Sequence, residues 1–371
     1  MCIVLKECRY VVKSFKPFQV VELADIAIDN GVVTCIGNCK PLQNCYELDC
    51  GSGIAVPGFV SMHTHVSADA ETSGNSIDVI KKVLGLMLRY GYTAAHIVDA
   101  DSEMLEDVCR LAEEIGMRIS VGPLISSSKD LKKLSFLKFF KYTPYCLPSI
   151  NISPVEDLDT NTLIAIKEFI SSCTTPLHIH IASSGDLSKT LDYYRKAGSW
   201  LITALDSLGL LTEKTCIAHA SWITTWEIER VKERDSCIVL TPFADVVKGV
   251  HGMPHTLLFN INKLCFGIDN PWHRPSLSPL LDIIALQAVY SNRTWSFYPD
   301  TLQILHYITT LGATAIGSEA GIIEVGKRAD IAILHLDQNA LNKSISGFLL
   351  RGLAYNTKYT VVEGRVVWRV T

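Results

Sequence analysis

The 371-residue sequence predicts an α/β fold: a (β/α)8 barrel carrying a small β-sandwich domain formed from both chain termini. Three observations lead there. Eight short apolar runs alternate with stretches of helical periodicity through the middle of the chain. Both ends read instead as strands joined by tight turns. Four of the apolar runs finish on a side chain that can hold a metal. Alternating strand and helix requires parallel strands, and eight such units suggest a closed barrel whose sites lie at the strands' carboxyl ends.

At the amino end, runs 23–28 and 32–36 flank Asp29-Asn30-Gly31, and Asn-Gly is a strong hairpin signal. The middle opens with a strand over 58–62. A helix follows with Ile80, Val83, Leu84 and Met87 on one face, ending at Gly91, then a strand over 94–98. Met104, Val108, Leu111 and Ile115 mark a second helix ending at Gly116. Further strands are expected at 118–121, 145–150, 177–181, 215–218, 237–240 and 263–268, with helices around Leu163, Ile166 and Ile170 and over 280–290. Strands 329–334, 359–362 and 366–368 close the chain, the last two around Glu363-Gly364. The expected domains are 1–56 and 321–371 for the sandwich and 57–320 for the barrel.

With 48% hydrophobic and 19% charged residues, the chain has ample material for a core. A net charge of −4 gives no reason to expect nucleic acid or an anionic membrane as partner. No charge-free apolar stretch approaches the length of a membrane span. Residues 1–9 include Lys6, Glu7 and Arg9 and lack a signal peptide's apolar centre, so a soluble, cytoplasmic protein is expected. Its expected partner is a small-molecule substrate, with homo-oligomerisation left open. Six of the twelve cysteines (Cys2, Cys8, Cys35, Cys39, Cys45 and Cys50) fall in the first 50 residues without a C-x-x-C pair. They are expected to be reduced, buried and packed as small hydrophobes, with structural disulfides as the main rival.

The chemistry gathers at strand ends. His63 and His65 alternate along one strand and so face the same side. His180, His219 and Asp269 end equivalent runs. Imidazoles with a carboxylate suit Zn²⁺, or Fe²⁺ or another divalent transition metal. His178, nearer the barrel interior, is expected to pack or to support a ligand. Trp222, His251, His255, Trp272 and His273 lie in neighbouring loops as candidate pocket walls, Trp272 and His273 being best placed for substrate. His96, His306 and His335 are expected to be structural. Only residues 66–75 separate His65 from the next helix, a small cover for a pocket.

Val56-Pro57-Gly58-Phe59-Val60 leading into His63-Thr64-His65 resembles the opening motif of the amidohydrolase superfamily. Leu177-His178-Ile179-His180-Ile181-Ala182 resembles its fifth strand, Ala218-His219-Ala220-Ser221-Trp222 its sixth, and Gly267-Ile268-Asp269-Asn270 its eighth. The run GIIEVGKRAD over 321–330 is similar to the segment that re-enters the small domain. The likeness runs from about residue 20 to the end and is nearest the branch of cytosine, guanine and adenosine-like deaminases and chlorohydrolases. It implies one metal held by His63, His65, His180 and Asp269, with His219 facing the substrate.

One position departs from that branch. Ser183 stands where the branch usually carries a proton-shuttling glutamate, and a hydroxyl has no acidity suited to that task. Asp186 is a candidate substitute, and Ser183 itself is left as a pocket residue. A two-metal site would need a carboxylated lysine, for which Lys138 and Lys141 lie at the wrong end of the fourth strand. The expected activity is hydrolysis of a C–N bond other than a peptide bond, in a cyclic amide, an amidine or an aminated heterocycle, with Asp269 as base. The alternatives are a deaminase with a replacement acid, a binuclear cyclic amidase, or a silent metal- or ligand-binding barrel.

Overall fold

The computed structural model describes residues 2–40, 45–67, 77–138, 143–172, 175–183, 187–249, 261–294, 299–336 and 344–370. Lys141, Asp186, His251, His255 and the cover over 68–75 lie outside the described residues.

The amino end supplies β1 (Cys2–Phe15), β2 (Phe18–Asp29), β3 (Val32–Gly37), β4 (Tyr46–Asp49) and β5 (Ile54–Pro57). The middle supplies β6 (Phe59–Thr64), β7 (Tyr92–Ile97), β8 (Arg118–Val121), β9 (Leu124–Ile125), β10 (Cys146–Pro148), β11 (Ile150–Ile152), β12 (Leu177–Ile181), β13 (Thr215–His219), β14 (Cys237–Leu240) and β15 (Leu264–Phe266). The carboxyl end supplies β16 (Ile331–Leu334), β17 (Tyr359–Val362) and β18 (Arg365–Arg369).

Both chain ends join one sheet in the order β18-β17-β16-β5-β1-β2-β3, with β4 also paired to β1. Two of its turns have the same chemistry. Asn30-Gly31 and Glu363-Gly364 all take positive φ, as a two-residue hairpin of this hand requires. Ile3, Leu5, Ile26, Ile28, Ala55, Ile331 and Val361 pack together as this sheet's own core.

The middle strands are parallel and buried on both faces, so they read as continuous apolar runs. One ladder runs β10-β8-β7-β6 and another β15-β14-β13-β12-β11-β9. Only Gly122-Pro123 separates β8 from β9, and only Ser149 separates β10 from β11. The strand expected over 145–150 is therefore split and extends to Ile152. Pro123 has no N–H to give the ladder, which accounts for the break. Hydrogen bonds from Ser149 N to Val121 O (3.0 Å) and from Asn151 N to Pro123 O (3.0 Å) carry the pairing across it. At the opposite edge Thr64 bridges to Asp269 in parallel register. The helices match their periodicity: Ile77–Arg89 buries Ile80, Val83, Leu84 and Met87, and Leu105–Ile115 ends where Gly116 turns left-handed.

The cysteines correct the expectation of a reduced chain. Disulfides join Cys2–Cys45, Cys8–Cys50, Cys35–Cys39 and Cys109–Cys146. Strand register brings the first of these pairs together. β1 pairs with β4 from Ile3 opposite Tyr46, so Cys2 and Cys45 are the next pair outward. That pairing is invisible in the cysteine spacing. Cys216, Cys237 and Cys265 stay as buried thiols in the parallel ladder.

Arg118 on β8 ties the two parts together. Its buried guanidinium donates to Asp330 at 2.6 Å and to Glu363 at 2.7 Å, both in the carboxyl-terminal segment. Arg118→Ala strands the buried Asp330 carboxylate, Glu363 keeping its pair with Arg328, and is expected to cost about 3–5 kcal/mol of stability, measured by urea unfolding.

Candidate metal centre

The site begins with a missing side chain. A Cβ at Gly267 would lie 2.4 Å from the His63 Cβ and 2.7 Å from its carbonyl oxygen, so only glycine lets the eighth run press against β6. Asp269 N then donates to His63 O (2.9 Å) and His65 N to Asp269 O (3.0 Å). Ile268 N donates to Ser61 Oγ at 3.1 Å. From the outer side, buried Arg274 donates to Ile268 O at 3.0 Å and pairs with Asp282 at 2.6 Å. The backbone that carries Asp269 is thus held from both sides.

The five expected side chains converge. Around the His63 ring stand those of His180 (4.7 Å between centroids), His65 (5.0 Å) and His219 (5.1 Å). Donor atoms of His63, His65 and His180 lie within 4.8 Å of one another, and so do those of His63, His219 and Asp269. In each of these four imidazoles Nδ1 is already engaged. His63 Nδ1 meets His178 Nε2 (2.8 Å), His65 Nδ1 meets Asp99 (2.9 Å), His180 Nδ1 donates to Ile152 O (2.7 Å), and His219 Nδ1 meets Thr241 Oγ1 (2.9 Å). Engaging Nδ1 fixes each ring's orientation and leaves Nε2 as the remaining ligand atom. His63 Nε2 is buried and has no hydrogen-bond partner among the described residues. A buried, unpaired nitrogen is costly, and a cation at the convergence would satisfy it. The donor set fits a divalent transition ion.

The electrostatics agree. Burial, reinforced by the neighbouring imidazoles, holds the His63 pKa well below 6.5 and pulls His180 down to about 3. Both are therefore neutral and keep a lone pair. His65 goes the other way: burial opposes its charge, but the Asp99 hydrogen bond and the fields of Asp99 and Asp269 outweigh it and raise its pKa. Burial also disfavours the Asp269 charge, yet the charges of His219, Lys248 and His65 overcome it and set its pKa at about 2. Lys248 Nζ lies 2.6 Å from Asp269 Oδ2, and His65 Nε2 lies 3.6 Å from Oδ1. Ala182, His219 and Asp269, all at strand ends, hold positive φ (50°, 68° and 59°), the kind of backbone strain that clusters at functional sites.

The outer candidates are less concentrated. Trp272 is exposed, donates from Nε1 to Ser67 O at 3.2 Å, and lines a groove with Leu86, Arg89 and Trp368 rather than joining the imidazoles. His273 is exposed beside it, Trp222 is half-buried against the main core, and Ser183 is half-buried just past β12. His178 supports His63, and His96 stacks on His178 at 4.3 Å while hydrogen-bonding Asn151 at 2.8 Å.

Sequence reasoning missed Asp99, Lys248 and Glu156. Asp99 accepts from His65, from Val66 N (2.8 Å) and from Ser67 Oγ. It directly follows the second apolar run, a signal equivalent to the one that exposed Asp269. Glu156 accepts from Ala182 N at 2.8 Å, one residue before Ser183, and its Oε2 is buried and unpartnered. Burial raises its pKa. Neither Glu156 nor Lys248 belongs to a motif, so the sequence held no comparable signal for them.

Asp99→Ala frees the His65 ring and is expected to weaken metal retention about 10–100-fold, measured by competition with a chromophoric chelator. The depressed Asp269 pKa has a definite sign. Its stabilisation is fully present above the ordinary value of 3.8 and is lost as pH falls through about 2. Metal-free Asp269→Asn is therefore expected to show a shallower acid dependence across that window, read from urea midpoints at successive pH values.

Comparisons with known proteins show the family and the fold. A model of the amidohydrolase family matches residues 54–367. A 5-methylthioadenosine/S-adenosylhomocysteine deaminase of Thermococcus sibiricus is 24% identical, covering 93% of this chain and 89% of its own length. The zinc-bound structure of an adenosine deaminase from Xanthomonas campestris superposes with a TM-score of 0.84 at 19% identity, covering 98% of this chain and 92% of the other. Escherichia coli guanine deaminase superposes with a TM-score of 0.86 at 15% identity over the whole of both chains. The chain belongs to the amidohydrolase family.

Proposed function

We propose that the chain is a metal-dependent hydrolase of C–N bonds other than peptide bonds, acting on a cyclic amide, an amidine or an aminated heterocycle. The observation that carries this reading is the buried, unpartnered Nε2 of His63 at the point where His65, His180, His219 and Asp269 converge. In this reading the parallel runs close as a (β/α)8 barrel over 57–320, and 1–56 with 321–371 form the sandwich. The Thr64–Asp269 bridge and the continuity across Gly122-Pro123 support closure.

His63, His65, His180 and Asp269 would hold a single Zn²⁺, or Fe²⁺ in its place. When bound, such an ion lowers the pKa of a water toward neutrality and polarises the carbon under attack. Asp269 stays ionised down to about pH 2, so its carboxylate is ready to take a proton from the nucleophile. His219, held by Thr241 and Asp245, faces the substrate's heteroatom and stabilises the charge that develops there. Asp269 then returns its proton to the departing nitrogen, a step that favours substrates with good leaving groups. Trp222, Trp272, His273 and Ser183 are proposed as outer contacts of the substrate.

A second reading, deamination of an aminated ring with a replacement acid, is favoured by Glu156. Its buried carboxyl group sits against the backbone beside Ser183, and burial keeps it readier to carry a proton than an exposed glutamate. The deaminase names borne by the Thermococcus and Xanthomonas proteins point the same way.

Zinc-loaded protein is expected to release ammonia, or open a ring, from a member of a panel holding 5′-methylthioadenosine, adenosine, guanine, pterins, hydantoins and lactams. Chelation abolishes the activity and zinc restores it. Asp269→Ala is expected to lose about 10²–10⁴-fold in turnover, and full retention would refute the base assignment. In the second reading Glu156→Gln lowers ammonia release and the added change Ser183→Glu restores it. Failure of that rescue removes the reading.

A further inference from the structure

We propose that Lys248 is a built-in competitor for the metal's carboxylate: its ammonium holds Asp269 Oδ2 and thereby sets how tightly this chain retains its ion. The inference rests on the reading above that Asp269 is a ligand.

Asp269 is 1% exposed, whereas the Lys248 side chain is 36% exposed. The carboxylate cannot leave the site, but the ammonium can swing into water. Lys248 does not come from a ligand-bearing strand. It caps the carboxyl end of the short helix Pro242–Val247, whose Asp245 lies beside His219, so one element serves both His219 and Asp269. The ammonium engages one carboxylate oxygen at 2.6 Å while the other faces His65. A cation joining the imidazoles must either share Asp269 with Lys248, with two positive charges a few ångströms apart, or displace the ammonium. Either course weakens binding relative to a free carboxylate. Lys248 is thus a positioning residue acting through Asp269, one that keeps the metal exchangeable.

The test is zinc affinity, measured on metal-stripped full-length protein by competition with a chromophoric chelator. Lys248→Met is expected to bind one zinc per chain about tenfold more tightly than the parent and to surrender it more slowly to excess chelator. Lys248→Arg, which keeps the charge, is expected to stay close to the parent. Unchanged or weaker binding by Lys248→Met overturns the proposal, as does equal tightening in Lys248→Arg. A lysine that merely packed would alter melting temperature without tightening the metal, and Lys248→Gln repeats the measurement if the methionine variant folds poorly. Asp269→Ala separates the two readings. If Lys248→Met leaves zinc affinity unchanged in the Asp269→Ala background, the competition is supported, because the lysine acts only through the carboxylate; a tenfold tightening there overturns it. Parental zinc affinity in Asp269→Ala instead overturns the ligand assignment itself, whatever Lys248→Met does.

Discussion

Asp269 reaches His63 because no side chain separates β6 from the eighth run. The contact at Gly267 lets the backbones of His63, His65 and Asp269 exchange hydrogen bonds directly, and the rest of the centre is arranged around that clasp. A methyl group there would push Asp269 outward and leave three imidazoles without their carboxylate. Arg274 and Ser61 hold the same segment from either side, so the position rests on several contacts rather than one.

Around the clasp, the protein spends its polar groups on orientation. Each converging imidazole's Nδ1 meets a protein partner, and these partners come from four different strands or the segments just after them. Packing several imidazoles into a dry cavity is tolerable only if they stay neutral, which burial and mutual repulsion enforce at His63 and His180. Asp99 pairs with the His65 ring and raises its pKa, and Asp269 pairs with Lys248. Neutral donors beside one ionised carboxylate make an electron-rich cup, which is what a divalent cation requires.

The sheet built from both termini serves the site at a distance. Disulfides staple its amino-terminal part, and Arg118 locks its carboxyl-terminal part onto β8. β5 runs through Pro57 and Gly58 into β6, so this sheet sets where the first metal-binding strand begins.

The local grammar of the chain was legible from the residues: helix faces at Ile80, Val83, Leu84 and Met87, hairpins at Asn30-Gly31 and Glu363-Gly364, and apolar runs ending in His65, His180, His219 and Asp269. These depend on periodicity and turn chemistry, which act over a few residues. What required tertiary structure was pairing between distant segments. The Cys2–Cys45 bridge follows from strand register, and the partners Asp99, Glu156 and Lys248 from which loops meet above the strand ends. Hydrogen bonds and ion pairs act over a few ångströms between groups tens or hundreds of residues apart, and no spacing along the chain encodes that proximity. The sequence by itself determined which atoms could bind a metal, and the packed fold decided which of their neighbours orient, neutralise or compete with them.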